Sequence, residues 1–389
     1  MKIGILTYHH VNNDGAILQT LGHLYTLKDL FPEAQIEVID YRSLNMEISE
    51  WILALKSFLP WKGGGFSKTR KLLYLKSFVN KQVTLSSSSV TTNDWTKASA
   101  FIEKQNYDAI IVGSDEVWKV LNKKYSRKFP NIYWLPLPLK AAKIGSAASA
   151  NKSDESLIKQ DIIQQQMRTF LNDFKRIAVR DQFTFDLVCK NVNDISKVYQ
   201  VPDPTFGIDF NTEVRQKLIK LGVDFNKKVV ALSFSSNPIY FSKIAETLRI
   251  YADQNNIQLV AIGQQNKFAH LDITGHLNPL EWASCYKHFN FCITDRFHSA
   301  IFSIKNIIPF LAIELSSKYD GSYKGKVVDL LTKCNMMNAH RFVSKEGIDI
   351  INLMNELEKS HNPDAMKNVV NEFKVSFRSH LKESILSVK

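Results

Sequence analysis

The sequence predicts an α/β protein of two doubly wound, Rossmann-like halves facing a central crevice, with helices at the C-terminal end. Two observations lead there. Short apolar runs alternate with stretches at helical spacing, once over residues 1–206 and again over 207–345. Polar, titratable residues directly follow several of those runs, where open α/β sheets hold their ligands. With 389 residues, 44% of them hydrophobic, the chain is long enough for two cores.

Ile3–Thr7 reads as a buried strand, and the turn-rich stretch from Tyr8 to Gly15 opens a helix over Ala16–Leu30. Ile36–Asp40 is the next strand, and strand, loop, helix, strand in that order argues for a parallel sheet. Further strands are expected at Ala109–Val112, Ala142–Ser146 and Arg176–Val179, with helices over 94–105, 154–174 and 182–190. Val201-Pro-Asp-Pro204 breaks helix and closes the half. The second half repeats the pattern. Strands are predicted at Lys228–Phe234 and Gln258–Ile262, the latter ending at Gly263, and helices over Tyr240–Gln254 and Leu280–His288. A strand at 289–293 follows, and Ile308–Ile313 is expected to close the sheet; 326–337 and 346–389 read as terminal helices, the last free to pack back on the first half.

A basic and aromatic insertion is expected at about 45–93. From 51 to 93 there is no acid, while Lys56, Lys62, Lys68, Arg70, Lys71, Lys76 and Lys81 stand among Trp51, Phe58, Trp61, Phe66, Tyr74 and Phe78. Such a mixture suits first an inserted helical pair with a solvated basic face, and after it an anionic lipid surface, through residues 51–82, or a polyanion. The triplet Gly63–Gly65 follows no strand and reads as a hinge, and Ser86–Ser89 as a linker.

The formal net charge of +12 points to an anionic partner without choosing its class. Cys189, Cys285, Cys292 and Cys334 form no C-x-x-C pair or metal-ligand spacing, so neither a metal nor a redox role is expected, and the chain reads as reduced and cytoplasmic. No signal-type segment and no run of about 18 apolar residues is seen. The expectation is a protein that is soluble, or peripheral on the inner face of a membrane, and that does not bind nucleic acid.

Several residues could carry chemistry. In Phe291-Cys-Ile-Thr-Asp-Arg-Phe-His-Ser299, Arg296 and His298 follow a strand; were 294–298 extended, their side chains would share one face and converge on one anion. Asn13 and Gly15 open a helix whose N–H groups could hold an anion or a hydroxyl, although Gly15 also suits a plain tight turn. Ser114 and Asp115 follow the strand at 109–112 and either meet substrate hydroxyls or cap a following helix. Arg180 ends another strand, where it either binds a ligand or bridges to Asp181. The G-x-G-x-x-G fingerprint is absent, which argues against NAD even with Asp40 at a strand end. His9 and His10 lack partners at metal spacing.

Five stretches, read together, resemble the polysaccharide pyruvyl transferase family. They are Thr7–Gln19, Asp108–Trp118, Val179–Asp181, Pro202–Thr205 and Thr294–Ser299 with Pro309-Phe310, in the family's order. Asp14, Glu116 and Ser299 depart from the residues common there. The resemblance implies two Rossmann-like domains arranged like GT-B glycosyltransferases. It also implies transfer of an enolpyruvyl-derived group from phosphoenolpyruvate, a co-substrate and the only cofactor-like molecule expected, to two hydroxyls of a sugar. That sugar would belong to a surface-polysaccharide or cell-wall precursor, often linked to a lipid diphosphate. On this reading Arg180, Arg296, His298, Ser299, Gly263 and Gln264 bind the donor, Arg296 and His298 act in catalysis, and Asn13, Gly15, Ser114 and Asp115 hold the acceptor. Guanidinium groups suit the donor's carboxylate and phosphate, and His298 is the expected acid for the enol carbon. The alternative is a GT-B enzyme using a nucleotide sugar.

Overall fold

The computed structural model describes residues 1–56, 65–121, 128–235, 238–315, 325–343 and 348–388, without the side chains of 54, 56, 65–68, 70 and 238–240. Phe58, Trp61, Lys62 and the first two glycines of the expected hinge lie outside the described residues, as do the side chains of Lys56, Phe66, Lys68 and Arg70. Two compact units form, Met1–Asp209 with Phe373–Lys389, and Phe210–Glu372.

In the first unit β1 (Lys2–Leu6), α1 (Asp14–Leu30) and β2 (Gln35–Arg42) are followed by α2 (Leu44–Lys56), α3 (Gly65–Gln82) and β3 (Leu85–Thr91). Next come α4 (Trp95–Glu103), β4 (Ala109–Val112), β5 (Ala142–Ala148), α5 (Glu155–Ile158), α6 (Asp161–Asn172), β6 (Phe174–Val179), α7 (Gln182–Cys189) and β7 (Val198–Gln200). The strands pair in parallel in the order β3-β2-β1-β4-β5-β6-β7. The order reverses between β1 and β4, which is where a sheet of this kind opens a ligand crevice. Beyond Lys2 at its start, β1 is apolar and buried, as is all of β4, the pattern of parallel strands covered on both faces.

The second unit holds α8 (Arg215–Lys220), β8 (Lys228–Ser233), α9 (Pro238–Gln254), β9 (Ile257–Ala261), β10 (Leu271–Asp272), α10 (Pro279–Cys285) and β11 (Phe291–Thr294). It continues with α11 (Phe297–Lys305), β12 (Phe310–Leu315), α12 (Lys326–Lys333), β13 (His340–Val343), α13 (Ile350–Lys359) and α14 (Pro363–Leu386). Its parallel sheet runs β10-β9-β8-β11-β12-β13, with the reversal between β8 and β11.

Several expectations are corrected. Ser86–Ser89 is not a linker but the middle of β3, held because the Ser86 hydroxyl accepts the Asp40 N–H at 2.9 Å. The stretch 45–93 therefore holds most of the crossover from β2 to β3 and β3 itself, and is not an interruption. The sheet of the second unit is closed by β13, not by 308–313, and the short β7 and β10 carry too few apolar residues to announce themselves. The helical stretch 346–389 does not stand as one piece. Lys228 pairs with Glu358 at 2.6 Å, which ties α13 to the second unit. Beyond Phe373 the chain joins the first unit, where Phe373 meets Phe206 edge-on and Arg176 pairs with Glu383 at 3.1 Å.

His23 sits at the centre of the first unit, fully buried between Ser146, whose Oγ is 2.9 Å from Nε2, and the ring of Phe377. Burial outweighs the Gln19 carbonyl and the nearby Asp203 charge and pushes its pKa down to about 4. The folded state thus keeps His23 neutral where the unfolded chain protonates it. Its contribution is fully present above about pH 6.5 and is lost as pH falls toward 4, up to about 3 kcal/mol. Denaturant midpoints followed over that window should fall in the native protein, and His23→Gln should flatten the slope.

Candidate active site

In the second unit the polar groups gather at the reversal between β8 and β11. Thr294 turns the chain there, its hydroxyl donating to the Ser233 carbonyl at 2.8 Å and accepting the Arg296 N–H at 2.9 Å. Asp295 accepts the Ser235 N–H at 2.6 Å and its hydroxyl as well, so the loops after the two strands are tied together. Burial pushes the Asp295 carboxyl up from its ordinary range, against the Ser235 hydrogen bonds and the Arg296 charge.

Residues 294–298 are not one extended run: Thr294 ends β11 and Arg296 is extended, but α11 begins at Phe297. Arg296 is the N-cap of α11, and His298 is the second residue of the helix. With His298 helical, strand alternation does not apply across 296–298 and does not bring the two side chains together. The helix starts this early because Phe297, Ala300, Ile301 and Ile304 form one buried stripe at helical spacing. Arg296 is partly exposed and lies 5.8 Å from the Trp282 ring centroid, while His298 is buried at 8% exposure. Arg296 offers no side-chain cap, so the positive end of the helix dipole faces the turn.

Ser299 is fully buried and its Oγ lies 2.6 Å from the Ser233 Oγ, which fastens α11 to β8. Gly263 is a packing position: a Cβ there would stand 2.9 Å from the Ser233 backbone. Gln264 is exposed and lines a hollow of about 800 Å³ beside β8 and β9, with Ser235, Ser242, Asn266, Lys267 and Asp272. Arg296 and His298 are not among its lining residues.

In the first unit the expected acceptor residues follow β1 and β4, the strands flanking the reversal. Asn13 caps α1, its Oδ1 accepting the Gly15 N–H at 3.0 Å, and Gly15 is a buried helical residue rather than a turn glycine. No helix directly follows β4, so Ser114 and Asp115 cap nothing. Gly113 precedes them at φ +135, where a Cβ would fall 1.9 Å from the Ser146 carbonyl oxygen; glycine alone allows this turn. Asp115, at φ +66, directs its carboxylate to within 3.8 Å of Arg180, and Ser114 is fully buried.

Arg180 bridges not to Asp181, which caps α7, but to Asp203 at 3.0 Å. Asp203 also accepts from Gln19 Nε2 at 2.5 Å and from the Thr205 N–H and Oγ at 3.1 and 2.8 Å. Burial opposes the Arg180 charge, but Asp203, Asp115 and Asp181 outweigh it and push its pKa up. Asp203 is the hub that sequence reasoning left without a role. Its partner Gln19 is 184 residues away, and only the occurrence of both in the quoted stretches hinted at them.

Asp40 is likewise occupied, by His9 at 3.1 Å and by Arg42 at 2.8 Å; burial opposes ionisation, yet these bonds hold the carboxyl at about 2. No cluster of three or more potential metal ligands occurs among the described residues, and none of their helices is long and apolar enough to cross a membrane.

Solved structures with this fold include UDP-GlcNAc 2-epimerase from Neisseria meningitidis bound to UDP-GlcNAc, at 9% identity, TM-score 0.57 and full coverage of both chains. Arabidopsis thaliana UGT89C1 is similar at 12% identity and TM-score 0.53, over 100% of this chain and 99% of that one. Anabaena Alr3699/HepE in complex with UDP and glucose is similar at 10% identity and TM-score 0.51, again over both whole chains. These likenesses establish a GT-B-like fold of two Rossmann-like units. No curated protein matches by sequence. The profile of the polysaccharide pyruvyl transferase family matches residues 13–317, which span Asn13 and α1, the loop after β4, the Asp203 hub and the turn at Arg296. Over most of its length, then, the chain carries that family's sequence pattern on the fold just described, and it belongs to the polysaccharide pyruvyl transferase family.

Proposed function

We propose that this transferase moves the enolpyruvyl-derived group of phosphoenolpyruvate onto two hydroxyls of a sugar in a lipid-diphosphate-linked precursor of a surface polysaccharide. The observation that carries the reading is the turn Asp295–His298: a guanidinium, an imidazole and the positive end of α11 at the strand reversal of the second unit. Guanidinium and helix dipole suit the donor's phosphate and carboxylate. His298 protonates the methylene carbon, which makes the neighbouring carbon electrophilic. A sugar hydroxyl adds there, the carbon–oxygen bond to phosphate breaks, and a second hydroxyl closes the ketal. Of the two hydroxyl protons, one replaces the proton His298 gave to the new methyl group and the other leaves with phosphate.

Asn13, Ser114 and Asp115 serve the acceptor, with Asp115 orienting or deprotonating a hydroxyl. Arg180 already faces three carboxylates, so an anionic donor placed on it would meet acid as well as base. Its role is to hold Asp115 and Asp203 in position. Phosphate release and ketal formation from phosphoenolpyruvate, with galactose- or N-acetylmannosamine-type acceptors, test the reading. Phosphoenolpyruvate is expected to raise the melting temperature and uridine nucleotides to leave it unchanged. Stabilisation by uridine nucleotides alone, without ketal product, would favour a nucleotide-sugar enzyme instead.

A further inference from the structure

The helix α2 is amphipathic the wrong way round. Its two acids face the unit: Glu50 accepts the Asn12 N–H at 2.7 Å, and Glu47 pairs with Lys76 at 2.6 Å and stands 3.8 Å from His10. Five of its apolar residues are exposed on another side, Leu44, Ile48, Ile52 and Leu55 at 42, 47, 43 and 63%, with Trp51 beside them at 38%; Leu53, on the opposite side, is 66% exposed, and Met46 packs on the core of the unit. Positions 44, 48, 52 and 55 form one helical stripe, the stripe that a surface helix of a globular protein normally turns to the core. Contiguous exposed apolar surface of this kind marks an interaction face.

The bonds that invert the helix also tie it to the expected acceptor loop. Asn12, next to Asn13, is held by Glu50, and Asp14 is held by Lys71 of α3 at 2.6 Å. The surroundings name the occupant. Past Glu50, α2 and α3 carry six basic residues and no acid; Lys71 and Lys76 are paired with Asp14 and Glu47, and Lys81 is exposed. An apolar face set in basic surroundings complements a bilayer of anionic lipids, whereas a second copy of the same basic face would repel it.

We propose that the outward face of α2 docks on an anionic lipid surface and brings the loop 12–15 to a lipid-linked acceptor; the second clause rests on the transferase reading above. The triple variant Ile48→Ser, Ile52→Ser, Leu55→Ser tests it in the full chain, since all three side chains are exposed. Cosedimentation uses vesicles of phosphatidylcholine with or without a quarter phosphatidylglycerol. The native chain is expected to bind the anionic vesicles, less so in high salt, and the variant to bind at least about tenfold more weakly with its melting temperature unchanged. Turnover should fall on an acceptor embedded in vesicles and hold on a soluble one. Equal vesicle binding by both proteins, or none by the native chain, would overturn the proposal, as would a native dimer in light scattering that the variant loses. Vesicle binding without ketal product from any acceptor would leave the lipid face standing and remove the transferase reading; ketal product without vesicle binding would do the reverse.

Discussion

His298→Gln is expected to lower kcat at least about a hundredfold while leaving phosphoenolpyruvate binding nearly intact, because general acid catalysis contributes about 10²- to 10⁴-fold. Glutamine keeps a donor at the second position of α11 and fits the same buried space, yet it cannot give a proton to carbon. The backbone and dipole of α11 remain, as does Arg296, so the grip on phosphate should survive. Isothermal titration of phosphoenolpyruvate beside steady-state kinetics separates the two. Turnover close to that of the native enzyme would remove His298 as the acid. A raised KM with unchanged kcat would leave it only a phosphate ligand.

Asp203→Ala should cost about 3–5 kcal/mol, since removing one partner of a buried ion pair leaves the other charged and desolvated. Arg180, 4% exposed, would lose its 3.0 Å partner while Asp115 stays at 3.8 Å, and Gln19 and Thr205 would each lose an acceptor. That is a large share of the roughly 5–15 kcal/mol by which domains are stable. The double variant Asp203→Ala, Arg180→Leu should recover part of the loss, because it removes the stranded charge together with its partner. Denaturant midpoints of the two variants decide the matter: a single variant within about 1 kcal/mol of the native protein would mean that the hub does not support the first unit.

The strands were readable where they are buried on both faces. Ile3–Leu6, Ala109–Val112 and Phe291–Thr294 are short apolar runs, and each was placed within two residues. The serine strand β3 was not readable, because what holds it is the parallel pairing with β2 and one hydroxyl on the Asp40 amide. The same limit applies at the site. The sequence located the turn at Arg296 and His298 but made their convergence conditional on an extended run, although the stripe from Phe297 to Ile304 already had the helical period.

Periodicity and composition are local, and they determined what is local: two runs of alternating strand and helix, polar groups after the strands of each, and a basic stretch free of acid. The five ordered stretches added the family, which the profile match over 13–317 shows. Only the tertiary structure decided which partners those groups have. It gave Arg180 to Asp203 rather than Asp181, buried Ser299 against Ser233, and turned the acids of α2 inward and a stripe of its apolar side chains out. Each of these outcomes pairs groups far apart in the chain, and the burial that sets their strength exists only once both sheets have formed.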